Sequence, residues 1–316
     1  MTDGITDEHF EQFLHKLQML SVAEMHAPQW NRCGRPNNQF ILLQDQTPLC
    51  ARYRGEHVKL LHGELLSFSL SRILGLDNVP IVMLSEADTR GHQWHGMNIS
   101  GAGWNESSIV ALIQWVHGLD SERSRVKMPA VILDAYEHQQ VFSHHHQRVL
   151  LLNANNLTEL VQWSDLILFD YLTGHYDRVA SMQDGADREQ RPSVMHENIR
   201  NLRKVWQTGK LWLIDNESGL FDGYELLYHG GEMGRKFVRF HRQMLATNCV
   251  FRRQTVRKIL ELSRLPEPEE ALLNYTADQD PLYKKLPYAN EMILFKKYFH
   301  VRLKEVADWI HKCQLR

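Results

Sequence analysis

Two arginines and one glutamate stand in apolar segments of the first half of the chain. Arg52 and Arg54 are two residues apart in segment 49–54, so a β-strand there places both guanidinium groups on one face. Glu64 is the only acidic residue of the predicted helix 62–74. A lone carboxylate among core residues needs a cation, although an interaction with the helix macrodipole is the alternative. A strand cation can therefore hold phosphate oxygens while the helix carboxylate pairs with that cation. Arg52 is the first candidate for the cation.

Two aspartates follow apolar elements in the second half of the chain. Asp177 lies in the loop after the predicted helix 163–172, where it could accept the proton of an attacking hydroxyl. Asp170, at the end of that helix, is the alternative base. Asp215 ends the predicted strand 210–216 and is suited to bind Mg²⁺ or Mn²⁺, or else to cap the strand. The four parts follow the chain order that phosphoryl transfer by kinases uses.

The predicted elements divide into a strand-rich first half and a helical second half. The first half is predicted to contain a helix at 8–25, strands at 39–43, 48–53, 79–84 and 93–99, and the helix 62–74. Helices are predicted in the second half at 107–119, 157–172, 234–246, 253–265 and 290–314. The fold class is therefore α+β, with an N-terminal helical segment 1–29, a β-rich N-lobe 30–105 and a mainly helical C-lobe 106–316.

Composition excludes several function classes. The chain has 316 residues and a formal net charge of −2, so no global positive charge attracts nucleic acid, and no nucleic-acid partner is expected. No apolar run reaches the ~20 residues that span a bilayer, and no signal peptide is visible. The polar segment 183–191 is predicted to be a solvated insertion. The adjacent histidines 144–146 cannot all face one ion, so no metal site is expected there.

The cysteines and the glycosylation sequons bear on the cellular compartment. The four cysteines form no C-x-x-C pair, and their even number at wide spacing permits two disulfides. Five N-x-[ST] sequons indicate a secretory lumen only weakly, because such motifs also occur by chance in polar loops of cytosolic proteins. They begin at Asn98, Asn105, Asn156, Asn216 and Asn274.

Several segments resemble the Four-jointed family of secretory-pathway kinases and, more distantly, the Golgi casein kinase group. The similarity extends from about Trp30 to Cys313. It is carried by segments 33–36, 49–54, 63–68, 73–76, 168–178, 213–220 and 249–253. This resemblance also implies two disulfides, Cys33 with Cys50 and Cys249 with Cys313.

The resemblance implies an atypical two-lobed protein-kinase fold that uses ATP with Mn²⁺ or Mg²⁺. It implies that Asp177 is the catalytic aspartate and that Asp215 and Glu64 bind the metal. The residue pattern itself predicts that Arg52 and Arg54 bind the nucleotide, together with Glu64 and Asp215. The implied location is the Golgi lumen or the extracellular space. The implied partners are cadherin-repeat ectodomains of the Fat and Dachsous type, whose Ser or Thr residues are phosphorylated in planar polarity signalling.

Some positions depart from the pattern of a typical kinase. Met182 stands five residues after Asp177, where a typical catalytic loop has a metal-binding Asn, and methionine does not bind a hard cation. Glu217 replaces the usual Gly after the metal-binding aspartate, Arg replaces the strand Lys, and no Gly-rich phosphate loop is visible. Two alternatives therefore stay open: a pseudokinase that binds nucleotide or a partner without catalysis, and a kinase that acts on a glycan hydroxyl.

Overall fold

A five-stranded antiparallel sheet and one long helix form the first half of the computed structural model, which describes residues 4–287 and 289–315. The strands are β1 Val22–His26, β2 Asn38–Leu43, β3 Pro48–Arg52, β4 Val82–Ala87 and β5 Ser108–Gln114, in the spatial order β1-β2-β3-β5-β4. The helices are α1 Asp7–Met19 and α2 Val58–Leu74. The predicted hairpin is confirmed as β2 and β3, which pair through Asn38 and Arg52.

Nine helices in the described part of the chain make up most of the second half. They are α3 Ala130–Glu137, α4 Gln147–Leu150, α5 Ala154–Thr173, α6 Ser181–Glu189, α7 Phe221–His229, α8 Gly231–Thr247, α9 Arg253–Ser263, α10 Pro268–Gln279 and α11 Met292–Gln314. Short strands accompany them: β6 Phe142–Ser143 with β9 Asn248–Cys249, and β7 Leu202–Lys204 with β8 Leu211–Leu213. The predicted helices 157–172, 234–246, 253–265 and 290–314 are confirmed as α5, α8, α9 and α11.

The predicted helix 107–119 is wrong, because this segment forms β5. The strand lies inside the sheet between β3 and β4, and its residues Val110, Ala111 and Leu112 are fully buried. A strand that is buried on both faces reads as a continuous apolar run, and such a run cannot be distinguished from a buried helix by periodicity. The β-branched residues Ile109, Val110 and Ile113 are typical of a strand.

Three other local predictions differ from the structure. The predicted helix 8–25 ends at Met19, and the remainder becomes β1, which pairs with β2. The predicted strand 93–99 is a series of turns, fixed where the buried Trp94 indole donates to Ser85 Oγ at 2.7 Å. The predicted insertion 183–191 lies largely in α6, whose Gly185 and Ala186 pack into the protein. In these three segments, packing against the rest of the protein decides the local structure, and the local sequence pattern does not.

The sheet also bears on the division into lobes. β1 lies within the predicted helical segment 1–29, and β5 follows the predicted N-lobe end at residue 105, yet both strands belong to the same sheet. We therefore propose a division after Gln114 in place of 105/106.

A close backbone approach brings the first half of the chain onto the second. At Gly63 of α2, a Cβ atom would lie 2.5 Å from the Glu217 carbonyl oxygen and 2.8 Å from that of Gly219. Only glycine permits this approach without a shift of the backbone. α2 thus lies directly against the segment that follows Asp215, and the residue after Gly63 is Glu64.

Two disulfides confirm the predicted pairs. Cys33 is bonded to Cys50 of β3, and Cys249 of β9 is bonded to Cys313 of α11. Disulfides of this kind persist in oxidising compartments. Within residues 4–287 and 289–315, no helix is both long and apolar enough to cross a membrane.

Candidate active site

Arg52 lies at the centre of three carboxylates. It projects from β3 with a side chain that is 10% exposed, and its Nη1 lies 2.5 Å from Glu64 Oε2, 2.7 Å from Asp215 Oδ1 and 3.1 Å from Glu217 Oε2. The predicted strand cation and helix carboxylate are therefore in contact, and the aspartate of the second half of the chain joins them.

Glu64 and Asp215 respond differently to this environment. Burial raises the pKa of Glu64, and the charge of Arg52 offsets only part of that effect. Burial also acts to raise the pKa of Asp215, but the charges of Arg52, Arg35 and Arg54 outweigh it, and the net pKa is lowered. The lowered pKa favours the ionised form of Asp215.

Arg54 lies beside Arg52 and faces the same carboxylate. Its Nε donates to Glu217 Oε2 at 2.6 Å, and its Nη1 donates to Asn38 Oδ1 and to the Tyr53 carbonyl oxygen, each at 2.7 Å. Both arginines reach one oxygen of Glu217, as their predicted common orientation requires, but β3 ends at Arg52 and Arg54 lies two residues beyond the strand. Their mutual repulsion is compensated by the buried carboxylates around them.

Asp177 lies in a kinked helical turn at 176–180 and has non-helical backbone angles, φ −96° and ψ 30°. Asn201 Nδ2 donates to Asp177 Oδ2 at 3.2 Å and to its carbonyl oxygen at 2.9 Å. Burial raises the pKa of Asp177, and the negative charge of Asp215 adds to that shift. The carboxylate is therefore oriented and more basic than an ordinary aspartate.

Arg178, the residue after Asp177, is fully buried and joins the two aspartate loops. It forms an ion pair with Asp170, and it donates to the Asn201 carbonyl oxygen at 3.0 Å, the Ile214 carbonyl oxygen at 3.1 Å and Asn216 Oδ1 at 2.7 Å. Asp170 is 5% exposed, and burial raises its pKa to about 6. Its contact with Arg178 favours a structural role for Asp170, so Asp177 remains the stronger prediction for the base.

Asp215 occupies a strained backbone conformation. Its φ of 57° and ψ of 63° fall in the left-handed region, which costs a non-glycine residue roughly 1–3 kcal/mol. His175 Nε2 lies 3.1 Å from the Asp215 carbonyl oxygen, and Glu64 Oε1 accepts from the Asn216 amide at 3.3 Å. These contacts hold the turn that directs the Asp215 carboxylate toward Arg52.

The site oxygens fit a divalent cation that phosphate oxygens help to bind. Asp215 Oδ1 and Glu217 Oε1 are buried, and the arginine nitrogens beside them are Arg52 Nη1 at 2.7 Å and Arg35 Nη1 at 3.2 Å, respectively. Among the described residues, no group of three or more His, Cys, Asp or Glu side chains is arranged to enclose a metal. Mg²⁺ is commonly bound through one or two carboxylates plus substrate phosphates, and this arrangement matches that mode.

Sequence reasoning missed three residues that complete the site. Arg35 reaches Glu217 from a distant loop, Asn201 orients Asp177, and Arg178 links the two aspartate loops. Arg178 adjoins Asp177 and lies five residues after the end of the apolar helix α5, so its charge near that helix could have marked it as a candidate. Asn201 lies 24 residues after Asp177 in a polar segment, where no local pattern distinguishes it.

Comparisons with known proteins agree with this geometry. A family model described as the Four-jointed box protein middle domain matches residues 8–316. Four-jointed box protein 1 of Homo sapiens is 33% identical over 273 residues, which cover 85% of this chain and 59% of the relative. The extracellular serine/threonine protein kinase four-jointed of Drosophila melanogaster is 28% identical over 270 residues, 71% of this chain and 44% of the relative. The chain spans about three fifths or less of the length of these relatives.

A solved structure shows the fold. The crystal structure of the Golgi casein kinase with Mn/ADP bound superposes with a TM-score of 0.54 at 10% identity, covering 98% of this chain and 77% of that one. The α+β, two-lobed, kinase-like fold is therefore confirmed.

Proposed function

This chain belongs to the Four-jointed box protein family, and from that premise we propose that it is an ATP-dependent kinase of Ser or Thr hydroxyls. The observation that carries the proposal is the contact of Arg52 with both Glu64 and Asp215. A strand cation, a helix carboxylate and a metal-binding aspartate meet there, which are three of the parts that phosphoryl transfer requires.

Each residue has a separate role in the proposed reaction. Asp177 accepts the proton of the acceptor hydroxyl, and its raised pKa strengthens it as a base. Asn201 fixes the orientation of that carboxylate. Asp215 holds the divalent cation, which when bound neutralises charge on the transferred phosphoryl group. Glu64 holds Arg52 beside Asp215 and is itself a proposed ligand of the cation.

The cation, the compartment and the partner are further parts of the proposal. We propose Mn²⁺ or Mg²⁺ as the cation, since the donors are carboxylate oxygens. A Golgi lumenal or extracellular location is supported by the two disulfides and by the word extracellular in the name of the Drosophila relative. Cadherin-repeat ectodomains of the Fat and Dachsous type are the proposed substrates, acting in planar polarity.

Phosphate incorporation tests the kinase proposal. The purified chain is incubated with ATP, Mn²⁺ or Mg²⁺ and a cadherin-repeat fragment, beside Asp177→Ala and the exposed control Asp120→Ala. We expect incorporation to fall by about 100-fold or more in Asp177→Ala, because general-base catalysis contributes that much, and to persist in Asp120→Ala. Equal incorporation in all three proteins would remove Asp177 from the reaction.

A pseudokinase is the second candidate, favoured by Met182. This side chain is 6% exposed and apolar at the position where a second metal ligand is expected. A nucleotide-binding pseudokinase would show a rise in melting temperature with ATP and Mn²⁺, since a ligand that binds the native state stabilises it, but no phosphate incorporation. Incorporation into a glycan and not into the protein fragment would instead identify the acceptor as a sugar hydroxyl.

A further inference from the structure

The loop between β1 and β2 is fixed in place beside the site. The Arg32 and Gly34 amides donate to the Gln29 carbonyl oxygen at 2.8 and 3.1 Å. Cys33 and Gly34 both have left-handed backbones, with φ of 64° and 72°, so the chain reverses direction there. The disulfide from Cys33 joins this turn to Cys50, two residues before Arg52 on β3. The loop is thus covalently tied to the strand that carries the central cation.

Arg35 extends from this turn into the carboxylate cluster. Its side chain is 61% exposed, yet its Nη1 lies 3.2 Å from Glu217 Oε1, an oxygen that is buried and accepts no hydrogen bond. Burial acts to raise the pKa of both Asp177 and Asp215, and the charge of Arg35 acts against it at both carboxyls. Arg35 is therefore an accessible cation that contacts Glu217 and whose charge acts on both aspartates of the proposed reaction.

The other two arginines of the cluster are already occupied by protein groups. Arg52 contacts three carboxylates, and Arg54 donates to Glu217, Asn38 and Tyr53. Arg35 makes one ion pair, and most of its surface faces solvent. A planar guanidinium donates two parallel hydrogen bonds to phosphate, so an entering phosphate chain has a suitable partner in Arg35.

We propose that Arg35 binds the phosphates of the nucleotide, and that the Cys33–Cys50 disulfide holds its loop in position for that contact. The loop thereby takes the role of the Gly-rich phosphate loop that the sequence does not show. This inference rests on the proposed function, because it presupposes that a nucleotide binds between Arg52 and Asp215.

Nucleotide titration of a matched pair of loop variants tests the contact. Arg35→Gln and Arg32→Gln remove the same charge from the same loop, but the Arg32 guanidinium stacks 4.6 Å over the Phe40 ring, outside the carboxylate cluster. With Mn²⁺ present, we expect Arg35→Gln to bind ATP about 10- to 100-fold more weakly than the wild type, as for a lost hydrogen-bonded charge. Adenosine affinity, measured by competition, is expected to change less than about 2-fold, and Arg32→Gln to bind ATP normally.

A second pair of variants tests the disulfide. Cys33→Ser/Cys50→Ser frees the loop, whereas Cys249→Ser/Cys313→Ser removes the disulfide between β9 and α11. We expect the ATP affinity of Cys33→Ser/Cys50→Ser to fall toward that of Arg35→Gln. The ATP affinity of Cys249→Ser/Cys313→Ser is expected to stay at the wild-type value.

The outcomes separate this inference from the kinase proposal. If Arg35→Gln binds ATP with wild-type affinity, the inference is overturned and the proposed function stands. An equal loss of ATP and adenosine affinity has the same two consequences. A wild-type protein that binds no ATP with either Mn²⁺ or Mg²⁺ overturns both.

Discussion

At the scale of single residues, the site is an arrangement of opposite charges withdrawn from water. Arg52 contacts Glu64, Asp215 and Glu217, and Glu64 and Glu217 are only 1% and 2% exposed. Arginine suits this position because its planar fork can donate to several oxygens at once, whereas a lysine ammonium is a compact point charge. The departure from the usual kinase lysine is therefore matched by the additional carboxylate of Glu217.

Removal of the Arg52 charge should destabilise the whole protein. We expect Arg52→Ala to lower the free energy of unfolding by about 3–5 kcal/mol, because it leaves the buried Glu64 carboxylate without its counter-ion. Arg52→Lys should lower the free energy of unfolding by less, since the positive charge remains. Urea denaturation measures the difference, with Arg90→Ala as the control, since the Arg90 side chain is 82% exposed and forms its ion pair with the neighbouring Asp88. A loss in Arg52→Ala no larger than the ~0.5 kcal/mol typical of a surface change would contradict this account.

At the scale of elements, three buried polar contacts set the spacing between the loop after α5 and the turn after β8. Arg178 forms those contacts with Asp170, Ile214 and Asn216, and together with the contact of His175 with the Asp215 carbonyl oxygen they help to set the distance between Asp177 and Asp215. Small displacements of reacting groups reduce rates strongly, because catalysis depends on aligned geometry. Arg178 is therefore a positioning residue in the proposed reaction.

Substitution of Arg178 by lysine should lower the reaction rate without weakening ATP binding. We expect Arg178→Lys to lower kcat by about 10- to 100-fold, since an ammonium cannot reach all the partners of the guanidinium, while KM for ATP changes less than about 2-fold. Steady-state kinetics measure both constants. Arg203→Lys is the matched control, because the side chain of Arg203 in β7 donates to the Ile199 and Leu202 carbonyl oxygens and not to either aspartate loop residue named above. A parallel change in kcat and KM would indicate general disruption instead.

At the scale of the whole molecule, a buried aspartate joins the two halves of the chain. Asp280 is 2% exposed and accepts hydrogen bonds from the Leu84 amide of the edge strand β4 at 2.6 Å and from the Leu282 amide at 3.0 Å. Burial raises its pKa to about 6, and the two amides offset only part of that shift. This carboxyl therefore makes stability depend on pH.

The direction of that dependence follows from proton binding. Between the ordinary carboxyl pKa and about 6, the folded protein retains a proton on Asp280 that the unfolded chain has lost. The contribution of Asp280 is fully present below the unfolded pKa and is lost as pH rises through about 6. Relative to Asp280→Asn, the wild type should lose up to about 3 kcal/mol between pH 3 and pH 7, measured by urea unfolding at each pH. A constant difference, like that expected for the exposed Asp120→Asn, would refute this.

Sequence alone determined the features that depend on local pattern and residue type. Periodicity predicted the hairpin around residues 44–47, the long amphipathic helices and the α+β class. An element with one buried face has apolar residues at a regular spacing in the sequence. Resemblance supplied the disulfide pairs, which are confirmed. The separate roles assigned to Arg52, Arg54, Glu64, Asp177 and Asp215 stay predictions.

Only the tertiary structure decided which distant residues meet. It made the segment at 108–114 an inner strand, since burial on both faces removes the alternation that identifies strands. It brought Glu217 to Arg54 across 163 residues, and it placed Asn201 on Asp177 and Arg35 on Glu217. Such contacts leave no local pattern, because their free energy depends on burial and geometry that form only when the two halves of the chain pack together.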